Sequence, residues 1–345
     1  MKVLFIGLGG IGQRHLRNFI SLIDRPVEIF AFREVQSESV ITNNLEVDEQ
    51  RSVTNEYPIR VFTDIRAALS QCPDVTFICN PTSKHVEFSL LAAKAGSHVF
   101  IEKALSNSMD NVDELIRVVS ENNLISHVGY QMRFHPLVAR LKHALHIRLL
   151  GKLINVEAYV GEYMPGWHKY EDYRTLYASR KDLGGGVVIS QIHEIDIIQW
   201  LFGYPKLVFS LGGKLSDLHI DVEDMASSLL LCSIDGRSLP VHLHQDFLQS
   251  PTKRYIKLIG TLGTLCIDFT TQNFQHWDSQ GNLVENTALV SFDRNALFID
   301  QMRHFLNCID NGRMSELSVA EGKKSLQIAL AIKQSMETLQ PIRLC

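Results

Sequence analysis

The sequence predicts an α/β chain, with an N-terminal Rossmann-type, doubly wound parallel sheet followed by an α/β part built on an antiparallel sheet. Three observations predict it. A glycine turn stands between an apolar strand and a helix at the N-terminus, strand-like and helix-like segments alternate up to about residue 130, and from Lys152 onward alternating strands take over.

The first strand is Val3-Leu4-Phe5-Ile6, which runs into Gly7-Leu8-Gly9-Gly10-Ile11-Gly12 and then Gln13-Arg14-His15-Leu16-Arg17-Asn18-Phe19. Ile11, His15 and Phe19 recur at helical spacing after the turn. Gly7, Gly9 and Gly12 fit GxGxxG in the strand-to-helix context that gives this motif its weight. Gly7 suits a tight turn, Gly9 lets a pyrophosphate approach the backbone, and Gly12 lets helix and strand pack closely. The phosphates then meet free N–H groups, here those around Gly10 and Ile11, at the positive end of the helix.

Val27 to Phe32 reads as a second strand, followed by Arg33 and Glu34. An acid at this junction would hold the ribose 2′-OH of NAD, whereas an arginine accommodates the 2′-phosphate of NADP, so Arg33 leans towards NADP. Glu34 would serve NAD if the register slips by one, and Arg33 would then be a solvated loop charge. Residues 34–57 are polar and poorly periodic, a loop with one surface helix. Asp64 to Ser70 reads as a short helix. Val75 to Cys79 is a buried strand ending at Asn80-Pro81-Thr82, and this carboxyl end is where open α/β sheets bind ligands. Ser83 to Ala95 forms a helix closed by Gly96, and His98 to Ile101 a strand with Glu102-Lys103 at its end. Lys103 stands where it can orient a substrate hydroxyl and assist proton transfer; elsewhere such a lysine is a solvated loop charge. Ser106 to Asn122 continues as a helix and Ile125 to Tyr130 as a strand. The spans are 1–125 for the dinucleotide-binding part and 126–345 for the substrate and oligomerisation part, whose C-terminal helices return to the first.

In the second part Ile154, Val156, Ala158 and Val160 alternate with Asn155, Glu157 and Tyr159, the pattern of an antiparallel strand with one face covered. An aromatic and charged loop follows, Glu162 to Arg174, in which Tyr163, Trp167 and Tyr173 offer stacking area for a hydroxyl-rich ligand or anchor the loop to the domain. Leu183-Gly184-Gly185-Gly186 then opens one continuous helix to Gly203. On it Ser190, His193 and Ile197 share a face, as do Ile189, Ile192, Asp196 and Gln199. A lone histidine on an apolar helix is more often a core residue, but the triple glycine before it and Asp196 after it favour a proton-exchanging His193. Strands follow at 226–233, 238–246, 254–259 and 264–268, then helices at 296–311 and 318–338. His242, His244 and Asp246 lie on one strand face and diverge, so no metal is expected.

Composition narrows the function classes. The 345 residues are 45% hydrophobic and 21% charged with a formal net charge of −4, and no basic run is present, which disfavours nucleic acid and anionic membranes. Six dispersed cysteines without a CxxC pair, no secretory signal and no apolar run of membrane length lead to the expectation of a cytoplasmic chain with reduced thiols.

Taken together, GLGGIG, Asn80-Pro81-Thr82 with His85, Glu102-Lys103, Gly129-Tyr130 with Arg133-Phe134, the triple-glycine segment leading to His193, and Ile259-Gly260 with Gly263 resemble the glucose–fructose oxidoreductase / inositol dehydrogenase / MocA (Gfo/Idh/MocA) family over nearly the whole chain. The resemblance implies a Rossmann domain followed by a domain with a large, mostly antiparallel sheet, and a homodimer or homotetramer. It implies NAD or NADP as cofactor, contacted by the glycine turn, Arg33, Asn80, Pro81, Thr82, His85, Glu102 and Lys103. It implies hydride transfer to or from a carbinol carbon of a sugar, with Lys103 and His193 catalytic and Arg133, Tyr163, Trp167, Tyr173, Ser190 and Asp196 at the substrate. Two departures stand out. The usual Glu-Lys-Pro is Glu102-Lys103-Ala104, and the aspartate usual three or four residues before the histidine is replaced by Ser190 and Ile189. The stretch from Glu162 to Asp196 resembles a subgroup of surface-glycan biosynthesis, implying a sugar nucleotide or phosphorylated amino sugar. The alternatives are a dinucleotide-binding sensor without catalysis, suggested by Ser190, and a reductase of a non-sugar carbonyl or imine.

Overall fold

In the computed structural model, which describes residues 1–34, 39–42, 46–168 and 170–344, six parallel strands form the first sheet. Their order is Ile59–Phe62, Glu28–Phe32, Lys2–Ile6, Val75–Ile78, His98–Ile101 and Ser126–Val128. Strand order reverses beside Lys2–Ile6, so the crevice for a ligand opens at the end of the first strand. Both faces of this sheet are covered. Val3 and Phe5 pack with Phe77 and Phe100, whereas Leu4 and Ile6 pack with Ile78, Val99 and Ile101 on the other side. That is why the strands read as continuous apolar runs. The Phe5 and Phe77 rings stack with centroids 4.7 Å apart, and Phe100 continues the row at 5.3 Å.

The second sheet has nine strands, ordered Leu283–Ala288, Asn273–Asp278, Gly263–Asp268, Lys253–Gly260, Leu153–Gly161, Arg237–Asp246, Met225–Ile234, Leu207–Gly213 and Ile342–Arg343. All neighbours are antiparallel except Leu153–Gly161 with Arg237–Asp246, which are parallel. The strand Leu153–Gly161 buries Val156, Ala158 and Val160, as its alternation predicts, but Ile154, expected on the same face, is exposed, because the pairing with Lys253–Gly260 shifts register there and Leu153 is buried instead.

Several elements depart from the expectations. Residues 34–57 hold a short hairpin, Ser39–Ile41 with Val47–Ser52, and a turn of helix at Val53–Glu56. Gln13 pins this hairpin: its amide N–H donates to Ser39 O at 3.0 Å and its carbonyl accepts from Ile41 N at 2.7 Å. The helix expected from Ser106 starts at Val112, because the Ser106 and Ser108 hydroxyls accept from the N–H groups of Ser108 and Asp110. Strands such as Asn273–Asp278 escaped a sequence reading because they are covered too incompletely to alternate cleanly.

The largest departure is in the segment after the triple glycine. It is not one helix: a turn at Val187–Ser190 is separated from a helix at His193–Phe202. The break is held from outside, since the Gln191 side chain donates to Asp246 O and the Gln245 side chain donates to Gln191 O, each at 3.0 Å. The shared face expected for Ser190 and His193 therefore does not exist.

The two C-terminal helices bind the halves together. Met302 and Phe305 of Arg294–Asp310 complete the core on one face of the parallel sheet. Val319–Thr338 covers the other, where Gly322 lies so close to Val128 that an added Cβ would come within 2.8 Å of it. One apolar cluster runs from Leu4 and Val99 through Leu326 and Ile195 to Val156. The parallel sheet also extends to Val128, past the boundary expected at residue 125.

The helix Pro136–His146 that links the halves begins on His135, whose Nδ1 accepts the Leu137 N–H at 3.1 Å. This cap requires a neutral ring. Burial, then the charge of Arg254, pushes the His135 pKa down to about 4. The unfolded ring, at about 6.5, takes up its proton first, so stability is full above that value and is lost as pH falls towards 4. The melting temperature of the wild type should therefore fall more steeply between pH 6.5 and 4 than that of His135→Asn, which keeps a capping acceptor. Parallel curves would show that another group governs acid stability.

Candidate active site

The glycine turn divides its labour. Gly7 has φ +92, and a Cβ there would lie 2.9 Å from Cys79 O; a Cβ on Gly12 would overlap the Gly7 carbonyl. Gly9 differs, because a Cβ there would meet nothing within 4 Å. Gly7 and Gly12 are needed for packing, and Gly9 opens onto free space. The helix Gly10–Leu22 has no side-chain cap, so the N–H groups of Gly10, Ile11 and Gly12 await an acceptor there.

Beside the turn, Asn80 carries an amide whose oxygen and nitrogen are both buried without a hydrogen-bond partner. Leaving such groups unpaired costs on the order of 1–3 kcal/mol each. A polar ligand in the crevice would relieve that cost. Pro81 is half-buried and Thr82 buried behind it. The open cradle at Gly9 and the orphaned Asn80 amide fit a dinucleotide.

His85 stands behind this surface. Its Nδ1 lies 2.6 Å from Ala104 O and its Nε2 2.8 Å from Asn80 O, so the ring staples the loops that follow two adjacent strands. Glu102 is likewise engaged from behind, 2.6 Å from His15 Nε2 in a buried contact. Burial alone would raise the Glu102 carboxyl, but the hydrogen bond to His15 and the neighbouring charges of His15 and Lys103 bring it below the ordinary range. Gly129 leaves room for this carboxylate, since a Cβ there would come within 3.0 Å of it. Arg33 is buried at the end of Glu28–Phe32 with its N–H on Phe62 O, and Glu34 is exposed.

Lys103 crosses from the parallel sheet to the second half of the chain. Its Nζ donates to Ser190 O at 2.7 Å and reaches Tyr177 OH at 3.4 Å. The break after Ser190 makes this possible, because a carbonyl at the end of a turn is free to accept from outside the helix. One of the three ammonium donors is left for a substrate oxygen. His193 is buried, and Gln131 Nε2 lies 3.1 Å from its Nε2, while its Nδ1 has no partner. Burial, followed by the charges of Lys103, Arg254 and Arg294, holds its pKa well below the ordinary value, so the ring is neutral at pH 7. Lys103 is thus tethered to the segment that leads into His193, three residues after Ser190.

The residues expected at the substrate separate into two groups. Arg133 and Asp196 are spent on each other: two donors of the guanidinium meet the two carboxylate oxygens at 2.7 Å each, and Ser325 Oγ donates to Asp196 at 3.0 Å. Both side chains are buried, so the pair clamps the two halves and the last long helix rather than facing the crevice. Ser190 contributes its carbonyl, with its hydroxyl buried and unpaired. Tyr163 is exposed, Trp167 packs edge-on against Phe247 with its indole N–H unpaired, and the Tyr173 hydroxyl accepts from the His219 N–H at 3.3 Å. Lys169, within the same loop, lies outside the described residues. His242 and His244 turn to separate partners, Ser227 and Asp246. Sequence reasoning missed Tyr177, Gln131 and the His15 contact to Glu102. Only for His15 was there a signal, a polar residue at a core spacing in the first helix.

Comparisons with known proteins agree with this fold. Residues 1–130 match the GFO/IDH/MocA oxidoreductase family, NAD-binding Rossmann fold, and residues 138–266 match the GFO/IDH/MocA C-terminal domain. The chain is 31% identical to the uncharacterized oxidoreductase YrbE of Bacillus subtilis, over 98% of this chain and 94% of that protein. It is 24% identical to the myo-inositol 2-dehydrogenase of Thermotoga maritima, over 100% of this chain and 98% of that protein. Among solved structures, the myo-inositol 2-dehydrogenase of Lactobacillus plantarum superposes with a TM-score of 0.79 at 24% identity, covering 100% of this chain and 99% of the other. The WlbA dehydrogenase of Bordetella pertussis, in complex with NADH and UDP-GlcNAcA, gives 0.79 at 18% identity, covering 100% and 98%.

Two glycine variants separate packing from ligand approach. Gly12→Ala should lower stability by about 1–3 kcal/mol, read as a fall in melting temperature, because its methyl meets backbone that cannot move aside. Gly9→Ala should melt like the wild type yet bind NADH about tenfold more weakly in a fluorescence titration, a loss of roughly 1.4 kcal/mol. Unchanged binding in Gly9→Ala would place the pyrophosphate elsewhere.

Proposed function

The chain belongs to the GFO/IDH/MocA oxidoreductase family as an NAD-binding dehydrogenase acting on CH–OH groups, and we propose that its substrate is a sugar derivative bound between Lys103 and His193. The observation that carries this reading is the Lys103 ammonium, tethered to Ser190 O and Tyr177 OH at the mouth of the parallel sheet with one donor unused.

A nicotinamide dinucleotide held by the glycine turn and Asn80 would supply hydride acceptor and donor chemistry at the carbinol carbon. The protein's own work is to orient the oxygen and manage one proton. Lys103 would donate to the substrate oxygen and favour the charge that develops on it. With the Gln131 amide turned so that its oxygen, otherwise unpaired, accepts the His193 Nε2–H, the neutral ring would accept the hydroxyl proton at Nδ1 in oxidation and return it in reduction. Gln131 supports the imidazole from another segment, in a chain that has Ser190 and Ile189 where the family resemblance implies an aspartate. This arrangement answers the absence of that aspartate and favours catalysis over a purely sensory role. Tyr163, Trp167 and Tyr173 would flank the sugar from loop 161–181. Arg33 favours a 2′-phosphate and hence NADP(H). We also take the chain to assemble as a homodimer or homotetramer through the outer face of the nine-stranded sheet, where Leu211 and Leu229 are exposed.

Turnover of NAD⁺ or NADP⁺ with a panel of cyclitols and sugar nucleotides tests the reading. Lys103→Met should lower kcat by about 10²–10⁴ while the nicotinamide fluorescence titration is unchanged. Wild-type turnover in that variant would remove Lys103 from the chemistry. In the same titration NADPH should bind more tightly than NADH, and Arg33→Ala should abolish the difference; a preference for NADH would move the assignment to Glu34.

A further inference from the structure

Arg294 is a guanidinium without a counterpart. It is the first residue of the helix Arg294–Asp310, it is exposed, and among the described residues it has no hydrogen-bonding partner and no ion pair. Its position is defined from two sides. Its neighbour Asn295 accepts from Arg14 Nη1 at 3.2 Å and exchanges amide hydrogen bonds with Asn18, which ties this corner to the helix that follows the glycine turn. On the other side Phe292 packs on the His135 ring at 4.7 Å, and Phe269 packs on the same ring at 5.0 Å. Arg254 leans over Phe269 and donates through Nε to Glu194 at 2.6 Å, one residue beyond His193. Arg294 thus sits between the dinucleotide helix and the ion pair that adjoins the candidate proton acceptor.

We propose that Arg294, with Arg254 beside it, receives an anionic group carried by the substrate, so that the substrate is an acidic sugar, bearing a carboxylate or a phosphate, rather than a neutral polyol. This rests on the dehydrogenase reading and names its substrate class. A guanidinium forks onto either oxyanion with two parallel hydrogen bonds, which fixes both position and orientation. The surrounding charges favour such a guest. Glu194 is committed to Arg254, Asp293 caps the helix through the Asn295 N–H, and Glu102 is committed to His15, which leaves Glu162 as the carboxylate near Arg294. Although its surface meets solvent, Arg294 is walled in by protein, and that desolvation together with the neighbouring Arg254 lowers its pKa in spite of Glu162. Arg254 and Arg294 are also two of the three cations that depress His193. An anion between them would offset that field and make the imidazole a better base once the acidic substrate is seated.

The test uses the full chain saturated with NADH, so that the cofactor's own phosphate sites are filled. The probes are inorganic phosphate and citrate, each titrated against chloride at matched ionic strength with melting temperature as the readout. Wild type should be stabilised by phosphate, by citrate or by both, and the stronger of the two reports which oxyanion the corner fits. In Arg294→Gln the apparent affinity for that anion should fall by about tenfold, with Arg294→Lys intermediate and NADH affinity unchanged. Three results would overturn the proposal: no anion-specific stabilisation of wild type, equal stabilisation of Arg294→Gln, or a loss of NADH binding in that variant, which would assign the arginine to the cofactor. The readout does not depend on turnover, so failure to oxidise any sugar would count against the dehydrogenase reading alone.

Discussion

The hydrogen bond from Lys103 Nζ to the Ser190 carbonyl, 2.7 Å long, is the contact on which the site depends. Lys103 stands at the end of a parallel strand of the first half, and Ser190 belongs to the second. For the bond to form, the segment after the triple glycine must interrupt its helix at Ser190, and two glutamine side chains anchored on a neighbouring strand hold that interruption open. A helix continuing through this point would use the carbonyl internally and leave the ammonium unplaced. The placement of the lysine and the local irregularity are therefore one feature.

A bond that bridges two halves is useful only if the halves do not slide. Here they share one apolar core, and the Arg133–Asp196 pair with Ser325 pins three elements at its centre. Removing one member of such a buried pair strands the other charge, at a cost of about 3–5 kcal/mol. The clamp's value lies in registration: it fixes the helix that begins at His193 against the loop that carries Gln131. His85 and the Glu102–His15 contact do the same behind the dinucleotide crevice. The residues nearest the chemistry are held by a ring of buried polar pairs that do not themselves meet a ligand.

Helix N–H groups await an acceptor at the glycine turn, Lys103 is tethered to Ser190 O, and the neutral His193 also feels the charges of Arg254 and Arg294. The neutrality of His193 comes first from its burial, and the charges of Lys103, Arg254 and Arg294 add to it in that order.

Much of this was legible in the sequence, for local reasons. The GxGxxG turn, the apolar strands, the caps and the Lys103 position follow from near-neighbour chemistry, and the roles of Gly7, Gly9 and Gly12 fit the space around each. The parallel neighbour inside the antiparallel sheet and the thinly covered strands near the sheet edge were not legible, because each depends on which face another element covers. Arg133 and Asp196 show the limit most clearly. As residue types they suit a sugar, and only their burial and two 2.7 Å contacts reveal that they satisfy each other. By itself the sequence determined the dinucleotide-binding half and the change of architecture after it. The tertiary structure alone decided where the helix breaks, which carbonyl holds the lysine, and that Arg254 and Arg294, forty residues apart in the chain, share a corner: pairings between distant residues arise from packing, which periodicity along the chain does not encode.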